Sequence, residues 1–132
     1  MKTSFHHVAL KVTDYERSVA FYKTVFGVKE LRAWTMDDGA KAAMLALDDG
    51  GIIEIFGNGT AAAESNARFA HFAIGVDSAE AVDAGYARAL ENGAKVQTPP
   101  FDFTIPSEPG FPIRIAFVKG LDDEVLEFFY ER

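Results

Sequence analysis

The chain contains no cysteine. That excludes disulfides, thiolate nucleophiles and thiolate metal ligands together, and leaves only His, Asp and Glu for a metal site. Histidine is itself scarce, at three residues: His6, His7 and His71. No apolar run approaches the roughly 18 residues that a membrane span needs. The opening MKTSFHHV lacks the apolar core of a signal peptide, so a cytoplasmic location without a membrane partner is expected. Basic charge is also short: 13 Lys and Arg against 20 Asp and Glu give a net charge of −7. The basic residues are scattered and form no stripe, which argues against nucleic acid as a partner. Proline is missing from most of the chain, and all five lie within PPFDFTIPSEPGFP, residues 99–112.

What is present is a doubled pattern. At 132 residues the chain is long enough for one ordinary domain, or for two very small units sharing a core. HHVALKV at 6–12 and HFAIGV at 71–76 both read His-x-Ala-aliphatic-x-Val. Alternation puts His7, Ala9 and Lys11 on one strand face and Val8, Leu10 and Val12 on the other. His71, Ala73 and Gly75 likewise share a face. A helix is predicted after each strand. Thr13 with Glu16, and Asp77 with Glu80, have capping-box spacing. Tyr15, Val19, Tyr22 and Phe26 form the first helix's apolar stripe, and Val82, Tyr86 and Leu90 the second's. Gly27 and the Asn92–Gly93 pair mark the stops. Strands are predicted at 28–35, 41–48 and 51–56, then at 94–98, 113–118 and 124–130.

The expected fold is therefore α+β, built from two βαβββ modules. The first spans 1–56 and the second 69–132, joined by a small, polar linker at 57–68. Modules of this size are too small to be secure alone, so closure against each other or a second chain is expected.

Each half also carries an acid in an apolar strand: Glu54 in GGIIEIFG and Glu127 in DEVLEFFYE. Alternation groups Ile52, Glu54 and Phe56 on one face, and Val125, Glu127 and Phe129 on another. A carboxylate among hydrophobes costs several kcal/mol unless paired, protonated or metal-bound. Two imidazoles and two carboxylates, one pair per half, would satisfy each other around a divalent ion. Nitrogen and oxygen donors suit Zn, Ni, Co, Mn or Fe(II) without choosing among them. His6 competes with His7 as the first-half donor, but alternation points it to the opposite face, exposed at the start of the strand.

These residues resemble the vicinal oxygen chelate superfamily, which includes lactoylglutathione lyases (glyoxalases), extradiol dioxygenases, methylmalonyl-CoA epimerases, and fosfomycin and bleomycin resistance proteins. The pattern rests on His7, Val12, Asp14, Ser18, Phe21, Tyr22 and Gly27, and in the second half on His71 and IAFVKGLDDEVLEFF. The resemblance implies sheets that curve into an open, barrel-like cleft with helices outside. It implies a divalent metal held by His7, Glu54, His71 and Glu127, and a homodimer as the frequent assembly. Glu54 brings the ligand set closest to the metal-dependent glyoxalases. Asn58 falls where those enzymes contact glutathione. Lys11 stands where they usually carry Arg, and a Lys loses the bidentate fork.

By that likeness the first expectation is a glyoxalase-like lyase or isomerase moving a proton on a small carbonyl or hemithioacetal substrate, a glutathione conjugate among them. Glu127 and Glu54 would exchange the proton, Lys11 and Asn58 would hold the substrate, and Phe56, Phe69 and Phe129 would line the cleft. A second expectation is an Fe(II) ring-cleaving dioxygenase using His7, His71 and Glu127. A third is a non-catalytic resistance-type protein that holds an antibiotic. Residues 99–112 lengthen the second half, so the two glutamates are 73 residues apart and the two histidines 64. This insertion reads either as a lid with Phe101, Phe103 and Phe111 on its inner side or as a rigid surface excursion.

Overall fold

A computed structural model describes residues 1–2, 5–60 and 70–132. It divides into two compact units, Met1–Glu64 and Ser65–Arg132. The first unit runs β1 (His7–Lys11), α1 (Tyr15–Phe26), β2 (Lys29–Thr35), β3 (Lys41–Ala46) and β4 (Ile52–Phe56). The second runs β5 (Phe72–Gly75), α2 (Ala79–Glu91), β6 (Lys95–Ile105), β7 (Phe111–Lys119) and β8 (Val125–Glu131). Each is the expected βαβββ module. Their sheets have orders β1-β4-β3-β2 and β5-β8-β7-β6, so the first and last strands pair in parallel and the rest antiparallel.

Each core lies between a helix and one face of its sheet. In the first unit Val19, Phe21, Tyr22 and Val25 of α1 are buried together with Ala43, Leu45, Ile53 and Ile55 of the sheet. In the second unit Val82, Gly85 and Ala89 of α2 are buried, with Ala116, Val118, Leu126 and Phe128 of β7 and β8. The Gly85 position has no room for a side chain, since an added Cβ would come 2.6 Å from Phe128 Cε1.

Four sequence-based expectations need correction. Both helices begin one residue later than the capping boxes predict. Asp14 caps α1 by accepting from the Arg17 amide at 3.1 Å, and Ser78 caps α2 by accepting from Ala81 at 3.1 Å. In the first unit the reason lies in the sheet. Val12 donates to Phe56 O and accepts from the Gly59 amide, which holds the chain extended through Val12. Glu16 is then spent on Lys41, 2.6 Å away, instead of on the helix start.

The buried stripes are also rotated. Phe21 and Val25 are buried where Tyr15 and Phe26 were expected, and Gly85 and Ala89 where Tyr86 and Leu90 were.

The proline-rich stretch is a surface excursion, but one built of strand on either side of 106–110, where strands at 94–98 and 113–118 were expected to end and begin. It forms the outer half of a long hairpin in which Phe101 pairs with Ile115, Phe103 with Ile113 and Ile105 with Phe111. Pro99 and Pro100 are tolerated because β6 is an edge strand, and its register shifts twice between Val96 and Phe101, around them.

The linker, finally, does not begin at 57. Gly57 donates to Lys41 O and Gly59 to Val12 O, which ties 57–59 to the first unit. Positions 61–69 lie outside the described residues.

Candidate metal centre

The parallel strand pairs place the acids and imidazoles by the same register in both units. Ala9 lies opposite Glu54 and Ala73 opposite Glu127. An alanine beside each glutamate leaves lateral space, and the histidine two residues earlier on the same face reaches diagonally into it. On the far side of each glutamate the register partner is apolar: Met44 for Glu54 and Phe117 for Glu127. Each carboxylate is thus pressed between hydrophobes. Glu54 is 7% exposed and Glu127 6%.

His7 Nε2 lies 3.8 Å from Glu54 Oε1, and His71 Nε2 lies 2.9 Å from Glu127 Oε2. Burial pushes the Glu127 carboxyl above the ordinary glutamate range, and the neighbouring His71 offsets part of that push. The imidazoles are oriented differently in the two units. His7 Nδ1 shares a proton at 2.8 Å with His6 Nδ1, which leaves Nε2 to face Glu54. The His71 ring stands edge-on to Phe117 at 5.2 Å between centroids. Sequence reading set His6 aside as an exposed rim residue. It is exposed, but it also orients His7, and its signal was the doubled HH itself.

The other expected site residues divide. Lys11 and Phe56 share a register pair on the Glu54 face. Phe129 lies two residues beyond Glu127 on the same strand face, with its ring 6.2 Å from that of Phe111. Asn58 is engaged elsewhere: its amide donates to Asp38 Oδ2 at 3.2 Å. Asp38 also accepts from the Ala40 amide, and these two hydrogen bonds, with the charge of Lys11, hold its carboxyl below the ordinary aspartate range. Asp38 escaped sequence reading because it lies in a DDG turn, where an acid needs no partner beyond the backbone. Phe69 lies outside the described residues.

A separate recess of about 400 Å³, lined by Tyr15, Val19, Trp34 and Lys41 among others, belongs to the α1–β2 side of the first unit and includes neither His7 nor Glu54.

In each unit one imidazole nitrogen and one buried carboxylate are donors of the kind that a borderline divalent cation takes. Within either unit, among the described residues, no three such donors gather, so each unit offers a pair.

The model of the glyoxalase/bleomycin resistance protein/dioxygenase superfamily matches residues 4–108. The chain belongs to this superfamily. His7, Glu54 and His71 lie inside the matched span and Glu127 beyond it. Among solved structures, a glyoxylase/bleomycin resistance protein/dioxygenase domain from Frankia sp. EAN1pec superposes with a TM-score of 0.76 at 22% identity, covering 100% of both chains. The fosfomycin resistance protein FosX from Listeria monocytogenes, solved with Mn(II) and sulfate, gives 0.74 at 18% identity, over 100% of this chain and 95% of that one. A hypothetical protein from S. aureus gives 0.69 at 25% identity over 98% of each. No curated protein sequence gives a significant match. These likenesses show that the superfamily member has the superfamily's fold. Among its described residues, no helix is long and apolar enough to cross a membrane.

Proposed function

We propose that this protein is a metal-dependent, glyoxalase-like lyase or isomerase that transfers a proton on a small substrate with two neighbouring oxygens. The observation that carries the reading is the duplicated pair: an imidazole set diagonally against a buried glutamate, in the same register, in both units. Under this reading His7, Glu54, His71 and Glu127 hold the ion, which suits Mn, Ni, Co, Zn or Fe(II). A divalent ion held there would supply Lewis acidity toward two adjacent substrate oxygens and so acidify the C–H of the hydroxyl-bearing carbon next to the carbonyl.

Glu127 takes the proton from that carbon. Its 2.9 Å contact with His71 supports this role, since the imidazole fixes one carboxylate oxygen and leaves the other to work. Glu54 gives a proton to the neighbouring carbon, the hydroxyl proton passes to the former carbonyl oxygen, and exchange with solvent restores both carboxyls, so the net change is isomerisation without an added oxidant or reductant. Ala9 and Ala73 keep the space beside each acid clear. A glutathione hemithioacetal fits the chemistry. Its glutathionyl arm would have to draw Lys11 and Asn58 away from Asp38. A homodimer is the proposed assembly.

The test is Glu127→Gln, assayed for hemithioacetal isomerisation together with elemental analysis of the purified protein. About one equivalent of metal should remain while turnover falls by roughly 10²–10⁴-fold, the usual worth of a positioned general base. Full activity in this variant would refute the assignment.

A further inference from the structure

One end of the first unit's sheet carries a polar cluster that proton transfer does not use. There the end of β1, the turn between β2 and β3, and the chain just after β4 come together, since Lys11 pairs with Phe56 and Phe56 with Ala42. Each contributes one polar side chain: Lys11, Asp38 and Asn58. Lys11 lies on the Glu54 face, two residues beyond Ala9, which stands beside Glu54. Two residues of strand span roughly 7 Å. A substrate that reacts at the acid and extends along β1 brings its far end to this cluster.

Asp38 already fills the place that an anionic far end would take. Its Oδ1 accepts from the Ala40 amide at 2.9 Å, which fixes the carboxylate in the turn, and its Oδ2 accepts from the Asn58 side chain at 3.2 Å. Those two hydrogen bonds, and then the charge of Lys11, hold the carboxyl below the ordinary aspartate range, so it is ionised at neutral pH. A carboxylate that accepts from an amide and sits within the field of an ammonium is the arrangement a bound anion makes. Here the chain makes it with a residue of its own.

The second unit offers no replacement for the cation so engaged. Gly75 pairs with Phe129 as Lys11 pairs with Phe56, so glycine holds the position of the lysine. The net charge of −7 works in the same direction, because it repels anions from the surface as a whole.

We propose that Asp38 is a specificity-determining residue: by engaging Lys11 and Asn58 it makes the site select substrates that are uncharged at the end remote from the reacting oxygens. This role rests on the reading of His7, Glu54, His71 and Glu127 as the metal-holding, reactive end. Small neutral hydroxycarbonyl compounds are then the better substrates, and a conjugate that carries carboxylates has to displace Asp38 before it can use Lys11.

Glutaric acid monohydroxamate and its primary amide supply the probes. Both present the same hydroxamate to a metal on the same chain length, and they differ in the charge of the far end. Binding of each to the full-length, Mn(II)-loaded protein is measured by calorimetry. Wild type should hold the amide at least as tightly as the carboxylate. Asp38→Asn keeps an acceptor for the Ala40 amide and removes the charge, and it should raise the carboxylate-to-amide affinity ratio about threefold, the scale of one exposed ion pair. Adding Lys11→Met should return the ratio to its wild-type value. A merely structural role for the turn would shift both probes alike, and a ratio unchanged in Asp38→Asn overturns the proposal. So does a wild-type preference for the carboxylate.

A second measurement needs no metal. Acetylation of Lys11 by sulfosuccinimidyl acetate, an anionic reagent, is followed by mass spectrometry in the metal-free protein, with Lys29 as the internal reference. Asp38→Asn should speed Lys11 about threefold relative to Lys29. An unresponsive Lys11 sinks the role of Asp38 alone. If Lys11 responds but neither hydroxamate binds the loaded protein, the metal-site reading has failed, and the role of Asp38 in substrate choice falls with it.

Discussion

The two halves share a backbone plan and spend their bulk differently. The helix caps Asp14 and Ser78 are 64 residues apart, so Gly85 of α2 corresponds to Phe21 of α1. Aligned on their glutamates, the strands match Phe128 with Ile55. A large residue on the helix and a smaller one on the strand in the first half have become glycine and phenylalanine in the second. The bulk sits on the helix in the first half and on the strand in the second. The site differs in the same quiet way. His7 has a polar neighbour in His6 and a loose 3.8 Å approach to its acid, whereas His71 has an aromatic neighbour and a 2.9 Å contact. Duplication supplied two equal frames, and side-chain packing made them unequal.

The largest expected effect tests that inequality directly. Glu127→Gln should reduce turnover by roughly 10²–10⁴-fold, and Glu54→Gln should reduce it less. Equal losses would mean that the halves share the chemistry evenly. The same pair of variants separates the other readings of the sequence. A ring-cleaving dioxygenase would consume oxygen with catechols and tolerate loss of Glu54, and a sequestering protein would bind its ligand about as well without that acid.

Next is orientation. His6→Ala removes the partner of His7 Nδ1, and metal affinity should drop by about 10–100-fold, the usual cost of losing a group that orients a ligand. The corresponding position in the second half is Ala70, where no such partner exists to lose. Metal titration of the variant measures the effect, and an unchanged affinity would show that the His6 contact does not set the site.

Packing gives the third test. Gly85→Ala should cost about 1–3 kcal/mol in urea unfolding, because its Cβ meets Phe128. Adding Phe128→Ile, the residue type found in the first half, should make the double substitution less costly than the sum of the two singles. Strict additivity would break the volume-exchange account.

The smallest effect is electrostatic. Burial raises the Glu127 carboxyl above its ordinary value of 4.5, so the stability it contributes to the metal-free protein is fully present below about that pH. It is lost as pH rises through the elevated folded value. Glu127→Gln should therefore flatten the decline of metal-free stability above that range in thermal melts across pH. The same curve in wild type and variant would show that Glu127 is not strained by burial.

Much of this was legible before any coordinates. Period-two alternation separates Glu54 from Ile53 and Ile55 without reference to other strands, and the repeated His and Glu stood out because two copies of a pattern support each other. Helix ends were misread by one residue. Capping residues in a row, Thr13–Asp14 and Asp77–Ser78, compete on nearly equal local terms, and in the first unit the strand's hydrogen bonds decided the matter. The rotated helix stripes have the same source: which side is buried depends on what waits opposite, as Phe128 does for Gly85. The hairpin at 99–112 was hidden because proline suggests a loop, while an edge strand has little need for the missing N–H.

The sequence by itself determined the two-fold architecture, the strand faces and the identity of the four polar residues, since these follow from local periodicity and composition. Tertiary structure alone decided that alanine stands beside each acid and that the proline-rich arm lines phenylalanines up with Glu127. Those are matters of register between strands distant in the chain, and hydrogen bonding sets register only when the partners have met.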